Sequence, residues 1–418
     1  MKALPRRRLP STGGGHAPSL YSAAVTGSQL RLGLDGLRED PALLRGRRFA
    51  LLANQAAVTG DLVPAWNALA GCGGTLIRLF APEHGLWGIA QDMESVADGR
   101  EPTTGARVHS LYGASAATLA PGPELLAGLD AVVVDLPDIG CRYYTFAATL
   151  AHVMAACEQA GVEMIVCDRP NPLGGVVLEG GPVEPGCRSF VSELEVPVRH
   201  GMTIGELALL LRATRHPRLS LTIVPCRGWR RSQWWDSTGL PWVAPSPNMP
   251  TLQTATVYPG ACLVEATNLS EGRGTTRPFQ LIGAPWLDGE ALSGRLDALA
   301  LPGARFRATR FRPEFSKHAG TVCSGVEWHV TDRDALEPLR VGVALLAEAR
   351  RLDPERFAWR SEPYEFVADV PAIDLLTGSA GARAAIESGT GFEALFAAWR
   401  EHCAVFAGER REFLLYEP

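Results

Sequence analysis

An apolar run, Thr75-Leu-Ile-Arg-Leu-Phe80, leads without a break into Ala81-Pro82-Glu83-His84-Gly85. A glutamate can give or take a proton, and an adjoining histidine can assist it or do the same work. Pro82 and Gly85 bracket the pair and predict a tight, fixed turn. Two further apolar runs end in comparable groups. Ala131-Val-Val-Val-Asp135 opens into Pro137-Asp138 and then Arg142-Tyr143-Tyr144, and Glu163-Met-Ile-Val-Cys167 opens into Asp168-Arg169-Pro170-Asn171. Read as parallel strands, these runs release their polar residues at the carboxyl edge of an open α/β sheet, where ligands bind. One shared site is the expectation.

Each group also has a plain structural reading. Glu83 could be a loop carboxylate in an ion pair, with His84 bonded to backbone. The neighbouring strand-end clusters favour function, and Phe80, Leu86 and Trp87 would raise the pKa of a buried Glu83 toward that of a general acid. Asp138 suits a helix cap as well as catalysis. Arg142 could simply open a helix, and Asp168 with Arg169 could form an ordinary ion pair. Asn171 between Pro170 and Pro172 sits in a fixed loop. Further on, Glu265, Asn268, Glu271 and Arg273 share a polar run with Gly272 and Gly274. That run is either a solvated turn or a set of donors and acceptors for a hydroxyl-rich ligand. Arg273 or Arg277 could clamp a carboxylate bidentately. Thr203-Ile-Gly-Glu206 is a helix capping box, which assigns Glu206 to structure; His200 just before it could serve either purpose. Trp229, Trp234, Trp235 and Trp242 are read as core, with one or two available as a platform for a sugar ring.

Bulk properties prune the alternatives. A chain of 418 residues predicts two domains. A net charge of -5 argues against a nucleic-acid partner. The only lysines are Lys2 and Lys317, which leaves little for Schiff-base chemistry and none for a P-loop. Nine cysteines without a Cys-x-x-Cys pair predict buried free thiols and a reducing compartment. The sequence contains no dinucleotide fingerprint, nucleophile elbow or zinc-ligand spacing. An enzyme working with carboxylates, without cofactor or metal, is what remains. No run approaches ~20 apolar residues, so no membrane span is expected. The basic N-terminus lacks the apolar core of a signal peptide, which predicts a cytoplasmic protein with residues 1–29 as a disordered tail.

The elements expected to position these groups alternate in type. Strands are predicted at 48–53, 75–80, 131–135, 163–167 and 219–224, with helices at 61–70, 123–129, 142–160 and 203–211. Short strand-helix-strand links require parallel pairing and right-handed crossovers. The long polar segment 88–113 is expected to serve a site. Pro245-Ser-Pro-Asn248-Met-Pro250 predicts a rigid loop at a domain seam. Beyond it come a strand at 261–265, mixed elements including a helix at 336–351, and a last helix at 392–406. The fold class is therefore α/β, with a mainly parallel sheet in residues 30–256 and a smaller α+β domain in 257–418.

Six segments in order make the chain similar to a known family. They are the Glu83-His84 turn, Asp135 to Thr145, Asp168 to Gly175, Val198 to Leu207, Pro245 to Pro250, and Glu265 to Phe279. Together they resemble the NamZ-type exo-β-N-acetylmuramidase family. The resemblance implies a Rossmann-like domain followed by a smaller C-terminal domain that completes the pocket. It also implies removal of N-acetylmuramic acid from the non-reducing end of peptidoglycan-derived sugars. On that basis Glu83 matches the catalytic acid, assisted by His84, with Glu265 or Asp138 as the second catalytic group. The pocket lining is expected from Arg142, Tyr143, Asp168, Asn171, His200, Asn248, Asn268, Glu271 and Arg273, with Arg142 or Arg273 on the lactyl carboxylate. Ala266, Leu136-Pro137 and Cys141 depart from the family pattern and bear on the exact substrate. A carboxyl separation of ~5.5 Å would mean retention and ~6.5–9.5 Å inversion, with attack by the substrate's own acetamido group as a third route. The competing expectations are a non-catalytic sugar-binding or sensing protein and a hydrolase of another acidic or acylated sugar.

Overall fold

The structure, a computed structural model, describes residues 30–418. The N-terminal segment expected to form a disordered tail, 1–29, lies outside the described residues. Seven strands build one sheet: β1 (Arg48–Ala53), β2 (Thr75–Ala81), β3 (Gly99–Arg100), β4 (Arg107–Ser110), β5 (Ala131–Asp135), β6 (Glu163–Cys167) and β7 (Leu221–Val224). Their order is β3-β4-β2-β1-β5-β6-β7, and every pair is parallel except β3 with β4. From β1 the chain steps outward to β2 and β4, then returns to the other side of β1 as β5. The sheet order thus reverses between β1 and β5, which opens a crevice at the carboxyl ends of the strands.

The apolar runs alternate between two faces, as the two-residue strand period requires. Phe49, Leu51, Val133 and Ile165 pack with Leu34, Leu37, Trp66 and Leu69 from two short helices, Gly33–Glu39 and Ala65–Ala70. Leu52, Val132, Val134 and Met164 pack on the opposite face with Phe146, Leu150, Met154 and Leu207 from the helices Phe146–Ala160 and Ile204–Thr214. Both faces are covered, which is why these strands read as unbroken apolar runs.

The second half carries a three-stranded antiparallel sheet, β8 (Leu281–Ala284), β9 (Ala304–Phe311) and β10 (Cys323–Val330), in the order β8-β10-β9. The helix Leu252–Ala261 runs across residue 256 and packs against the helix Pro338–Leu352. Their closest approach is through glycines: a Cβ on Gly260 would lie 1.7 Å from the Pro338 carbonyl oxygen. Val134 and Met154 belong to the same buried cluster as Val257, Leu263, Val326 and Leu345. The two halves therefore share a core, and the walls of the crevice are braced by packed side chains.

Several sequence expectations change. The strand predicted at 261–265 is the end of the Leu252–Ala261 helix and a buried 3₁₀ turn, Cys262–Ala266. A short apolar run has no periodicity to separate the two. The helix expected from residue 142 starts at Phe146, because the Arg142 N–H donates to the Val198 carbonyl and Cys141 bridges to Arg199. The helix expected from residue 61 starts at Ala65, after Val58 pairs with Pro64. Segment 88–113 contributes β3 and β4 to the sheet edge. All nine cysteines are free and buried. Among the described residues, no helix is long and apolar enough to cross a membrane.

Arg142 is a structural tie. Its guanidinium is 1% exposed and donates to the carbonyls of Gly181 and Val196 at 3.0 and 2.8 Å and of Leu376 at 3.0 Å. These bonds join three distant chain segments. Replacing Arg142 with Ala would leave three buried carbonyls unpaired, and each such loss costs about 1–3 kcal/mol. A marked fall in the denaturant midpoint is expected, by at least ~3 kcal/mol of stability; an unchanged midpoint would contradict this role.

Candidate active site

The Glu83 turn lies at the carboxyl end of β2. Gly85 N–H donates to the Pro82 carbonyl at 3.0 Å, closing the turn, and His84 and Gly85 both take left-handed backbone conformations (φ 68° and 77°). This turn brings both side chains to a cleft between the two halves of the chain. The cleft is lined from the first half by Glu83, His84, Asp92, Tyr143, Tyr144 and Asn248. From the second half come Tyr258, Glu265, Arg273, Phe279, Tyr364 and Glu365.

Glu83 is 4% exposed. Thr145 Oγ1 donates to its Oε2 at 2.6 Å, and the Met93 N–H donates to Oε1 at 3.3 Å. His84 Nδ1 donates to the Ala90 carbonyl at 3.0 Å, which leaves Nε2 free. Asn248 is held by its Nδ2 donating to Gln91 Oε1 at 2.8 Å. The proline-rich loop that carries Asn248 is pinned to the end of β1, where Asn54 donates to the Pro245 carbonyl and Gln55 to that of Ala244.

Glu265 faces Glu83 from the buried 3₁₀ turn. Arg273 Nη2 donates to its Oε1 at 2.9 Å and Tyr364 OH to its Oε2 at 2.7 Å. Burial pushes the Glu265 carboxyl up, and Arg273 opposes that shift. Arg273 Nε also donates to Asp92 at 3.0 Å, and Glu271 lies 3.7 Å away. Burial disfavours the Arg273 charge, but these acids hold it protonated. Arg273 Nη1 is buried without a protein acceptor. Phe279 lies under the guanidinium, 4.9 Å from it, and stacks edge-on against Tyr258.

The remaining expected residues do not converge here. Asp138 binds His200, at 3.4 Å, and lines a separate proline-rich cleft beside the ends of β1, β5 and β6. Asp168 accepts from Thr203, from the N–H groups of Gly205 and Arg169, and from Tyr416. Arg169 is committed to Asp135. Asn171 donates to the Met202 carbonyl and accepts from the Leu173 N–H, pinning its loop. Asn268 exchanges hydrogen bonds with the backbone of Arg356 and Ala358. Glu271 accepts from Lys317 at 3.0 Å, behind the cleft. Arg277 pairs with Glu327. Tyr143 lines the cleft but spends its hydroxyl on the Pro259 carbonyl. Most of these groups are buried and must be paired, and they pair with neighbouring side chains and with the backbone of adjoining loops; Arg277 is exposed. Trp235 and Trp242 line the proline-rich cleft, and the aromatic lining of the Glu83 cleft is tyrosine and phenylalanine. Glu365, Tyr364 and Asp92 were not legible as site residues. Asp92 falls in the long polar segment flagged as site-serving; the other two carry no motif.

The two halves of the chain match the family models described as exo-β-N-acetylmuramidase NamZ, N-terminal (residues 49–253) and C-terminal (residues 256–416). The chain is 40% identical over 402 residues to the peptidoglycan β-N-acetylmuramidase NamZ of Bacillus subtilis (strain 168), covering 96% of this chain and 94% of that protein. Two crystal structures of DUF1343 family proteins from Bacteroides fragilis NCTC 9343 are similar in fold. They give TM-scores of 0.83 and 0.73 at 32% and 26% identity, each covering 93% of this chain and 99% of the other. With matches to both halves and near full-length similarity, the chain belongs to the NamZ exo-β-N-acetylmuramidase family.

Proposed function

We propose that the Glu83 cleft is the active site of a glycosidase that releases N-acetylmuramic acid from the non-reducing end of peptidoglycan-derived sugars. The observation that carries the reading is the placement of Glu83. It is a buried carboxylate at the carboxyl end of β2, sharing one cleft with carboxylates and tyrosines contributed by the other half of the chain. Glycoside hydrolysis needs a carboxyl pair around the scissile bond and a surface that fits a sugar ring. Residues 30–256 serve as the catalytic domain, and 257–418 complete the pocket. Nine reduced, buried thiols fit a cytoplasmic site of action.

The lactyl carboxylate needs a cation that is not already neutralised. Arg142 is bound to three carbonyls, and Arg273 is outnumbered by Asp92, Glu265 and Glu271. Arg273 Nη1 instead suits a neutral acceptor such as the acetamido carbonyl. Arg360 lies over the Tyr364 ring at 5.5 Å, and its Nη2 is 4.0 Å from the sulfur of Met93. Among the described residues, the other partners of its side chain are the backbone carbonyls of Glu362 and Pro363, at 3.4 and 3.3 Å. We assign the lactyl group to Arg360.

Incubation with a chromogenic N-acetylmuramide beside the matching N-acetylglucosaminide tests the reading. Hydrolysis of the first alone is expected, and hydrolysis of neither would overturn it. Glu83→Gln should lower kcat by at least about a hundredfold while leaving ligand affinity nearly unchanged; full activity would remove Glu83 from the chemistry. Arg360→Gln should raise KM for the muramide about tenfold with little change in kcat, the signature of lost uniform binding. An unaltered KM would remove Arg360 from substrate recognition.

A further inference from the structure

Glu365 and Phe366 form the tip of a tight reversal in which Tyr364 and Val367 exchange both backbone hydrogen bonds, at 2.8 and 3.0 Å. Both tip residues have positive φ, 46° and 69°. A two-residue turn with this signature normally calls for Asn-Gly or a similar pair. Glu-Phe is a poor choice for it, so the local sequence does not explain the turn. The tertiary contacts do. Phe366 packs on Tyr112, 5.5 Å between ring centres, and Tyr112 OH donates to Glu365 Oε2 at 2.8 Å. Tyr364 at the turn's base holds Glu265. The turn reaches from the second half of the chain onto the first and delivers a carboxyl group, 6% exposed, into the cleft that contains Glu83. Backbone strain held by tertiary contacts at a cleft points to function.

We propose that Glu365 is a catalytic carboxylate of this site: it holds an exchangeable proton and donates that proton to the departing glycosidic oxygen. The inference rests on the glycosidase reading of the cleft. Both Glu83 oxygens already accept hydrogen bonds from protein donors. Glu365 has one such donor, Tyr112. Burial, and then the charge of Glu83, push the Glu365 carboxyl well above the usual carboxylate range; Glu265 and Asp92 act in the same direction, and Tyr112 opposes them. His84 and Arg273 line the same cleft, but the Arg273 charge is committed to Asp92 and Glu265. In the reaction the Glu365 proton passes to the glycosidic oxygen as the C1–O bond breaks, with the bonding pair leaving on that oxygen. The water that replaces the alcohol at C1 returns one proton to Glu365, so the carboxyl group ends as it began.

The test compares two leaving groups. A sugar alcohol needs a proton to depart, whereas dinitrophenolate hardly does. Glu365→Gln should lower kcat on a muramyl disaccharide by about a hundredfold to ten-thousandfold, and on the dinitrophenyl muramide by less than tenfold. Equal losses on both, or wild-type rates on both, would overturn the proposal. Because the donor must be protonated, wild-type activity should fall as pH rises through the Glu365 pKa. Tyr112→Phe removes a donor that favours the ionised form, so this alkaline limb should move to higher pH; a limb that stays in place would also overturn it. The Tyr112 variant decides the matter even if Glu365→Gln does not fold. If wild-type protein cleaves neither substrate, the glycosidase reading itself fails, which is a separate outcome.

Discussion

Arg273 donates at once to Asp92, in the segment that follows the Glu83 turn, and to Glu265, in the 3₁₀ turn of the second half. The cleft depends on that guanidinium. Glu83, Glu265 and Glu365 are all buried around one cavity, and Asp92 is half-buried beside them. Desolvating several carboxylates together is costly unless they are paired, hydrogen-bonded or protonated. Each of these means is in use: Arg273 pairs Glu265 and Asp92, Thr145 and Met93 serve Glu83, and burial favours the neutral form of Glu365. Removing the guanidinium would leave Glu265 and Asp92 without a countercharge, so Arg273 ties the two walls together as well as balancing their charge.

Much of the scaffold was legible because it follows from periodicity. Unbroken apolar strands with short helical crossovers imply a parallel sheet covered on both faces, and the alternation of Phe49 and Leu51 against Ala50 and Leu52 meets that expectation. The Glu83 turn was legible for the same reason, since a strand end followed by Pro, Glu, His and Gly specifies both position and chemistry. Glu265 and Arg273 were marked by a polar run with flanking glycines, although the element beneath them is a helix end and not a strand. The misreadings have one origin. Asp138, Asp168, Asn171 and Arg142 look reactive in sequence, but Arg142 and Asn171 bond backbone groups far along the chain, Asp168 is held by Thr203, Tyr416 and the Gly205 N–H, and Asp138 accepts from the Gly140 N–H beside His200. Whether a buried polar group serves a loop or a ligand is decided by those partners. Glu365 was invisible for the opposite reason: Tyr-Glu-Phe has no motif, and the turn it makes is one its residue types disfavour.

The cleft also concentrates backbone strain. His84, Phe279 and Glu365 line it with positive φ, and Met93 and Phe366 beside it do the same. Non-glycine residues in this region each cost on the order of 1–3 kcal/mol. Such conformations persist where surrounding packing over-determines them, and the shared core of the two halves supplies that packing. The halves are thus joined in a way that suits a preorganised site more than a hinged one, with the carboxyl groups held in place before substrate arrives.

The most direct measurement is a crystal structure of the Glu83→Gln protein with an intact N-acetylmuramic acid disaccharide. The account predicts the muramyl ring between the tyrosines and Arg273, its glycosidic oxygen within about 3.2 Å of the side chain of residue 83 or 365. A disaccharide seated in the proline-rich cleft beside Asp138, with the Glu83 cleft empty, would contradict it.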